Sequence, residues 1–251
     1  MSNSPLVEYT KISPNKTSPR NHTIDTISIH CVVGQCSLET LGSVFANPNR
    51  QASCNYGISP NGEIGMYVEE KDRSWCTSSS SNDNRAITIE VASDTTHPYK
   101  VTDAALNGLI KLLVDICKRN NIKELKWKGD PSLIGHPDQQ NMTVHRWFAN
   151  KPCPGDYLYN LHPYIAREVN KKLNSFIEEE EEMTQEKFNE MMDAYLVELA
   201  KKEPGDWSAP ARNWVEKNKI MNGDEKGNRM YRKFITREEL AQVLFNMNGK
   251  Q

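Results

Sequence analysis

No stretch of the 251-residue chain approaches the roughly 20 consecutive apolar residues that a bilayer-spanning helix needs, so no membrane partner is expected. An excess of one charge is missing too. With 31 Lys and Arg against 33 Asp and Glu, the net charge of −2 gives no bulk attraction to nucleic acid or anionic lipid. The opening Met1-Ser2-Asn3-Ser4-Pro5 lacks the basic segment and apolar core of a secretory leader, so no export signal is expected. The six cysteines (Cys31, Cys36, Cys54, Cys76, Cys117 and Cys153) form no tight CxxC pair, and a chain of this length does not depend on staples. Reduced thiols, one or two of them with a chemical role, fit better than a disulfide framework.

What is present is enough apolar material, 37% of residues, for one ordinary domain and a small second one. Thr26 to Val33 (TISIHCVV) is β-branched and apolar and reads as a buried strand with His30 near its end. Ser37 to Ala46 turns helical and stops at Asn47-Pro48-Asn49. Ser53 to Ile58 and Glu63 to Val68 read as two strands of a hairpin, joined by the Ser-Pro-Asn-Gly turn at 59 to 62. Ala86 to Val91 (AITIEV) is a further strand, in which Thr88 and Glu90 alternate onto one polar face. Thr102 offers an N-cap to a helix whose Leu106, Leu109, Ile110, Leu113, Ile116 and Cys117 share a face. Leu125 to Trp127 is expected to be a short strand, and Tyr159 to Phe176 an amphipathic helix. The predicted class is α/β, a mixed central sheet flanked by helices, with a small helical C-terminal domain. The expected boundaries are 1–177 for the first domain, 178–182 for an acidic linker of five glutamates, and 183–251 for the helical piece. In that piece helices are expected over Thr184 to Lys202 and Ala209 to Asn218, and from Thr236, where Glu239 completes a capping box.

The sharpest chemical signal is His145-Arg-Trp-Phe-Ala-Asn-Lys151-Pro-Cys153-Pro-Gly-Asp156. An imidazole and a thiol eight residues apart meet only if the chain between them folds back, and Pro152, Pro154 and Gly155 favour such an irregular loop. Imidazole and thiolate are both zinc ligands, and three protein ligands plus an open position make a catalytic site. A third ligand has to come from elsewhere. His30 at a strand end is well placed, but spacing does not separate it from His136, and a lone strand histidine is more often a satisfied core residue.

Thr-Ile-Ser-Ile-His30, Ala-Ile-Thr-Ile-Glu90 and His145-x5-Lys151-x-Cys153-Pro-Gly-Asp156 together resemble the N-acetylmuramoyl-L-alanine amidase type 2 family, over about residues 20 to 165. That family includes phage lysozymes of amidase type and peptidoglycan recognition proteins. The resemblance implies Zn2+ as cofactor with His30, His145 and Cys153 as its ligands. It also implies Glu90 as general base and Lys151 as an aid at the developing oxyanion. In many members a tyrosine stands on the strand before the Asn-Gly turn; counting back from Asn61-Gly62 puts Cys54 there, with Tyr56 two residues on and expected on the same face. This departure moves the expected base to Glu90. The bland alternatives are a surface lysine at 151 and a paired carboxylate at 90.

The implied partner is bacterial peptidoglycan, and the implied reaction is hydrolysis of the amide between N-acetylmuramic acid and the L-alanine of the stem peptide. Asn55, Tyr56, Trp75 and the polar loop from Thr77 to Asn82 are expected to line its groove, although Trp75 serves equally as packing. Residues 214 to 241 resemble part of an S-layer homology motif, which implies a secondary cell-wall polymer as a further partner of 183–251; a packing or dimerising module fits as well. The loop from Asp224 has too few acidic residues for an EF-hand. An endolysin made without a leader and acting at the wall after release is the expected setting, with a host autolysin as rival. A non-catalytic peptidoglycan receptor and a cysteine peptidase using Cys31 or Cys153 are the competing classes.

Overall fold

The computed structural model describes residues 2–179, 185–221, 223 and 228–248. The chain divides into two units, Met1–Glu179 and Glu180–Gln251. Among the described residues, no helix is long and apolar enough to cross a membrane.

The first unit contains β1 (Tyr9–Thr10), β2 (Lys16–Thr17), β3 (Thr26–Cys31), α1 (Leu38–Ala46), β4 (Tyr56–Ile58), β5 (Ile64–Met66) and β6 (Arg73–Ser74). There follow α2 (Ser80–Arg85), β7 (Ala86–Val91), α3 (Asp103–Arg119), β8 (Met142–Thr143) and α4 (Gly155–Glu179). Six strands form one mixed sheet in the order β1-β5-β4-β7-β3-β8, which is the α/β arrangement expected from the sequence. Its two longest strands, β3 and β7, pair in parallel at its centre with His30 opposite Glu90. Ile27, Ile29, Ile87 and Ile89 leave one face, and Leu109, Leu112, Leu113 and Ile116 of α3, with Leu158, Ile165 and Val169 of α4, cover them. Burying each such side chain contributes roughly 1.5–3 kcal/mol.

The opposite face carries His30, Glu90 and Gly57, because in-register parallel partners project to the same side. Here α1 packs, started by the Ser37 hydroxyl, which accepts from the Thr40 N–H. The packing needs a glycine in β4. A Cβ on Gly57 would stand 2.7 Å from both the Leu41 side chain and the Tyr67 ring. The β4–β5 hairpin turns where expected, with Ser59 N–H donating to the Glu63 carbonyl and Gly62 N–H to Ser59. Gly62 takes φ +87° and lies directly against Gly108 of α3, where no Cβ on either residue would fit.

Two strand expectations need correction. Ser53 to Asn55 is not regular strand but ends in a bend at Asn55, whose carbonyl accepts from both Tyr67 and Val68, a bulge in the segment opposite. Cys54 packs with Leu41, Phe45 and Tyr67, whereas Tyr56, in register with Ile89, enters the core on the other face. The expectation that Cys54 and Tyr56 share a face fails there. Leu125 to Trp127 is not a strand either. The side-chain amide of Asn170 in α4 takes a neighbouring strand's place, accepting from Leu125 N–H at 2.8 Å and donating to its carbonyl at 2.9 Å.

The second unit consists of α5 (Gln185–Lys201), α6 (Ala209–Lys217) and α7 (Arg237–Asn248). Before α7, Thr236 and Glu239 form the reciprocal capping box that the sequence indicated. Residues 180–182 of the acidic run, and Asn222 with 224–227 of the Gly-Asp loop, lie outside the described residues.

Candidate metal and catalytic site

The site forms where β3 and β7 end side by side. His30 is completely buried, and two neighbours define its orientation. Its Nδ1 lies 3.4 Å from Cys153 Sγ, and its Nε2 lies 3.2 Å from the Ser28 hydroxyl. Ser28 sits two residues back on the same strand face, so the period-2 pattern that placed His30 also supplies its support.

His145 arrives through β8, which pairs in parallel with β3 through Ile27–Met142 and Ser28–Thr143. One turn later the two imidazoles stand with ring centroids 5.2 Å apart. Cys153 then returns because the loop folds back as its prolines and glycine suggested. Arg146 N–H donates to the Cys153 carbonyl, and Gly155, at φ +78°, donates to Pro152. The Arg146 guanidinium holds the loop closed by donating to the Pro152 carbonyl at 2.7 Å and to Asp156 Oδ1 at 3.1 Å. Donor atoms of His30, His145 and Cys153 all lie within 4.8 Å of one another.

Electrostatics favour the states that bind a metal at the imidazoles. Burial, aided by His145 and His162, lowers the His30 pKa to about 3, so its ring is neutral. Burial and the charge of Lys151 lower that of His145. Cys153 is raised well above its ordinary value by its hydrogen bond with Cys31, by burial and by Glu90, so ionising it calls for a cation. Glu90 is pushed up to about 8, chiefly by burial. Its Oε1 is 4.0 Å from His30 Nδ1, while its buried Oε2 has no hydrogen-bond partner. Two neutral imidazoles, a thiol and an orphaned carboxylate oxygen match the donor chemistry and local charge demand of a catalytic zinc site.

Lys151 is exposed at the rim, in a cleft of about 440 Å³ with His97, Tyr99, Arg146 and Asp156. The expected groove residues fare differently. Asn55 is fully buried; its side-chain carbonyl accepts from Thr88 and its amide donates to the carbonyls of Val68 and Glu69, so it presents nothing to a ligand. Tyr56 is fully buried on the far face, where its hydroxyl donates to Glu70 at 2.6 Å beside Arg119. Trp75 is half-buried, its indole N–H donating to Thr17.

From the polar loop one residue reaches the site: the Ser78 hydroxyl lies 3.2 Å from His145 Nε2, on a backbone with φ +64°. The expected loop thus contains Ser78, but nothing in its residue type singles it out from its neighbours, because the backbone at φ +64° carries no sequence signal. Sequence reasoning missed the clamp between Arg146 and Asp156, although both lie inside the motif.

The geometry defines a class, an α/β domain with a His, His, Cys donor set gathered at the end of its central strand β3. The sequence profile of the N-acetylmuramoyl-L-alanine amidase family matches residues 20–156, and the chain belongs to that family. No curated protein matches the sequence. Among solved structures, a mutant endolysin from Bacillus subtilis is similar at 15% identity and TM-score 0.49, over 65% of this chain and 99% of that one. The N-acetylmuramoyl-L-alanine amidase LysC from Clostridium intestinale URNW is similar at 18% identity and TM-score 0.46, over 67% and 95%. The Drosophila peptidoglycan recognition protein SA follows at 17% and 0.42, over 58% and 79%. The profile match ends before the second unit, and nothing in these comparisons supports the likeness to an S-layer homology motif.

Proposed function

We propose that the chain is a zinc-dependent peptidoglycan hydrolase of endolysin type. In this reading it cleaves the amide between the lactyl group of N-acetylmuramic acid and the L-alanine of the stem peptide. The observation that carries this reading is the convergence of His30, His145 and Cys153, from three separate segments, beside Glu90. When bound, zinc supplies a Lewis acid that polarises the amide carbonyl and acidifies water. His30, His145 and Cys153 hold the ion, and the Ser28 and Ser78 hydroxyls orient the two rings from behind.

Glu90 removes a proton from the attacking water and delivers it to the departing L-alanine nitrogen. In the metal-free chain its raised pKa leaves it protonated at neutral pH, and a neighbouring cation returns it to the basic form. Lys151 is exposed, yet close enough for its charge to lower the His145 pKa, and it faces the negative charge that builds on the carbonyl oxygen.

A cysteine peptidase is the second reading, because Cys153 Sγ and His30 Nδ1 are within hydrogen-bond reach. The raised thiol pKa and the low His30 pKa oppose it: neither group is ready to form the ion pair that an active thiolate needs. One digestion separates the readings. Purified peptidoglycan treated with the protein should yield free L-alanine amino termini and intact glycan strands by mass spectrometry. EDTA should stop the reaction, and Glu90→Ala should slow it by about 10²–10⁴-fold. New reducing ends, or lysis that survives EDTA and yields to iodoacetamide, would overturn the proposal.

A further inference from the structure

A second donor set shares His30 with the first. Ligand atoms of His30, Cys76 and Glu90 also lie within 4.8 Å of one another. Two ligands of a tetrahedral zinc stand about 3.3–3.7 Å apart, given bonds of about 2.0–2.3 Å. The 4.0 Å between His30 Nδ1 and Glu90 Oε1 needs only a small closure to reach that spacing. Cys76 is fixed in place from behind, its N–H donating to Asp83 Oδ2 at 3.0 Å while the same carboxylate group takes the Thr77 hydroxyl. The buried Glu90 Oε2 has no hydrogen-bond partner, and in this second position a cation bound to the carboxylate itself would compensate it.

The two sets cannot be filled together. His30 Nδ1 is the nitrogen that faces both Cys153, at 3.4 Å, and Glu90, at 4.0 Å; Nε2 points to Ser28. We propose that the site holds a single borderline-soft divalent cation in either of two positions hinged on His30: one with His145 and Cys153, the other with Cys76 and Glu90. Nitrogen, sulfur and oxygen donors select zinc or cobalt(II) over magnesium or calcium, which prefer oxygen alone. The first position is hydrolytic. The second is silent, because the Glu90 lone pair that would accept a proton is engaged by the ion. Two imidazoles and a thiolate make the first set the stronger in the intact chain, and the second fills when the first loses a donor.

Cobalt(II) binding to the full-length protein tests this, read as metal content and as thiolate-to-cobalt charge-transfer absorption. Cys153→Ser should still bind a single cobalt per chain and should keep a thiolate band, now arising from Cys76. The band and the metal should both vanish in Cys76→Ser/Cys153→Ser, yet persist in Cys31→Ser/Cys153→Ser, which controls for the other nearby thiol. Circular dichroism of each variant checks that it is folded. A folded Cys153→Ser that takes up no cobalt, or a band that survives in the Cys76 double variant, overturns the proposal. The inference rests on the reading of His30, His145 and Cys153 as the catalytic ligands. Failure of that reading appears as an intact chain that binds no metal, whereas failure of this one leaves the intact chain loaded.

Discussion

Met1–Glu179 packs isoleucine, leucine and valine against one face of its sheet and Leu41, Phe45, Cys54 and Tyr67 on the other, whereas in Glu180–Gln251 the described residues bury only Leu199 and Ile220 among their apolar side chains. Trp207 is 86% exposed and Phe245 70%, and Phe188, Met191, Tyr195 and Leu244 also face outward. Helical periodicity alone therefore does not make a core. The second unit's helices rest on local devices such as the Thr236–Glu239 box and the Asn218 side chain donating to the Trp214 carbonyl. In the first unit, long-range packing decides where each functional atom sits. Chemistry that needs several donors within a few ångströms belongs in a unit of that kind.

The contrast is sharpest in acid and alkali, because every histidine of the sequence lies before residue 180. His30 and His162 fall from 6.5 to about 3 and about 4 on burial, so the folded unit stays neutral at these rings while the unfolded chain takes up protons. Their stabilising effect is complete above pH about 6.5 and is lost as pH falls toward their folded values, on the order of 3 kcal/mol for each. Glu90 works in the other direction. Raised from 4.5 to about 8, it contributes stability below about 4.5 that disappears as pH climbs through about 8. From these three groups, the metal-free first unit should be most stable near pH 6.5, with Glu90→Gln removing the alkaline decline. Hydrogen exchange at β3 and β7 measures it, and equal pH sensitivity in α5 and α7 would erase the distinction between the units.

A smaller effect separates the two kinds of leucine. Leu113→Ala, at a fully buried position, should cost about 2–5 kcal/mol in denaturant unfolding. Leu244→Ala, 51% exposed, should cost about 0.5 kcal/mol or less. Similar losses would mean that α7 gains in solution a cover that its surface here does not have.

The smallest change is expected from ending the chain after Glu179. Hydrolysis of a soluble muropeptide should keep its rate within about twofold, since His30, Glu90, His145, Lys151 and Cys153, the residues proposed to carry the reaction, all precede Asp156. Sedimentation with whole cell walls is the second readout. Loss of binding there would give the second unit a targeting role, and unchanged binding would remove it.

How much of this was legible in the sequence depended on locality. β7 and the Thr102 cap were read to the residue, because strand composition and a capping hydroxyl are short-range signals. The return of Cys153 to His145 was readable from prolines and glycine within one loop. Selecting His30 over His136 was not, since the neighbour that selects it, β8, is a two-residue strand with no pattern of its own. The burial of Asn55 and Tyr56 was not legible, because the bend at Asn55 that interrupts the alternation before β4 has no signature in the residue types. Cys76 carried no signal, as its relation to Glu90 exists only once β6, α2 and β7 are assembled.

Gly57 has a further consequence for how such a site varies. Level with Glu90 on the neighbouring strand, it is a place where Leu41 and Tyr67 leave no space for any side chain. That position beside Glu90 is closed to any side chain, so sequence variation near the site is left to exposed positions such as Ser78 and Lys151.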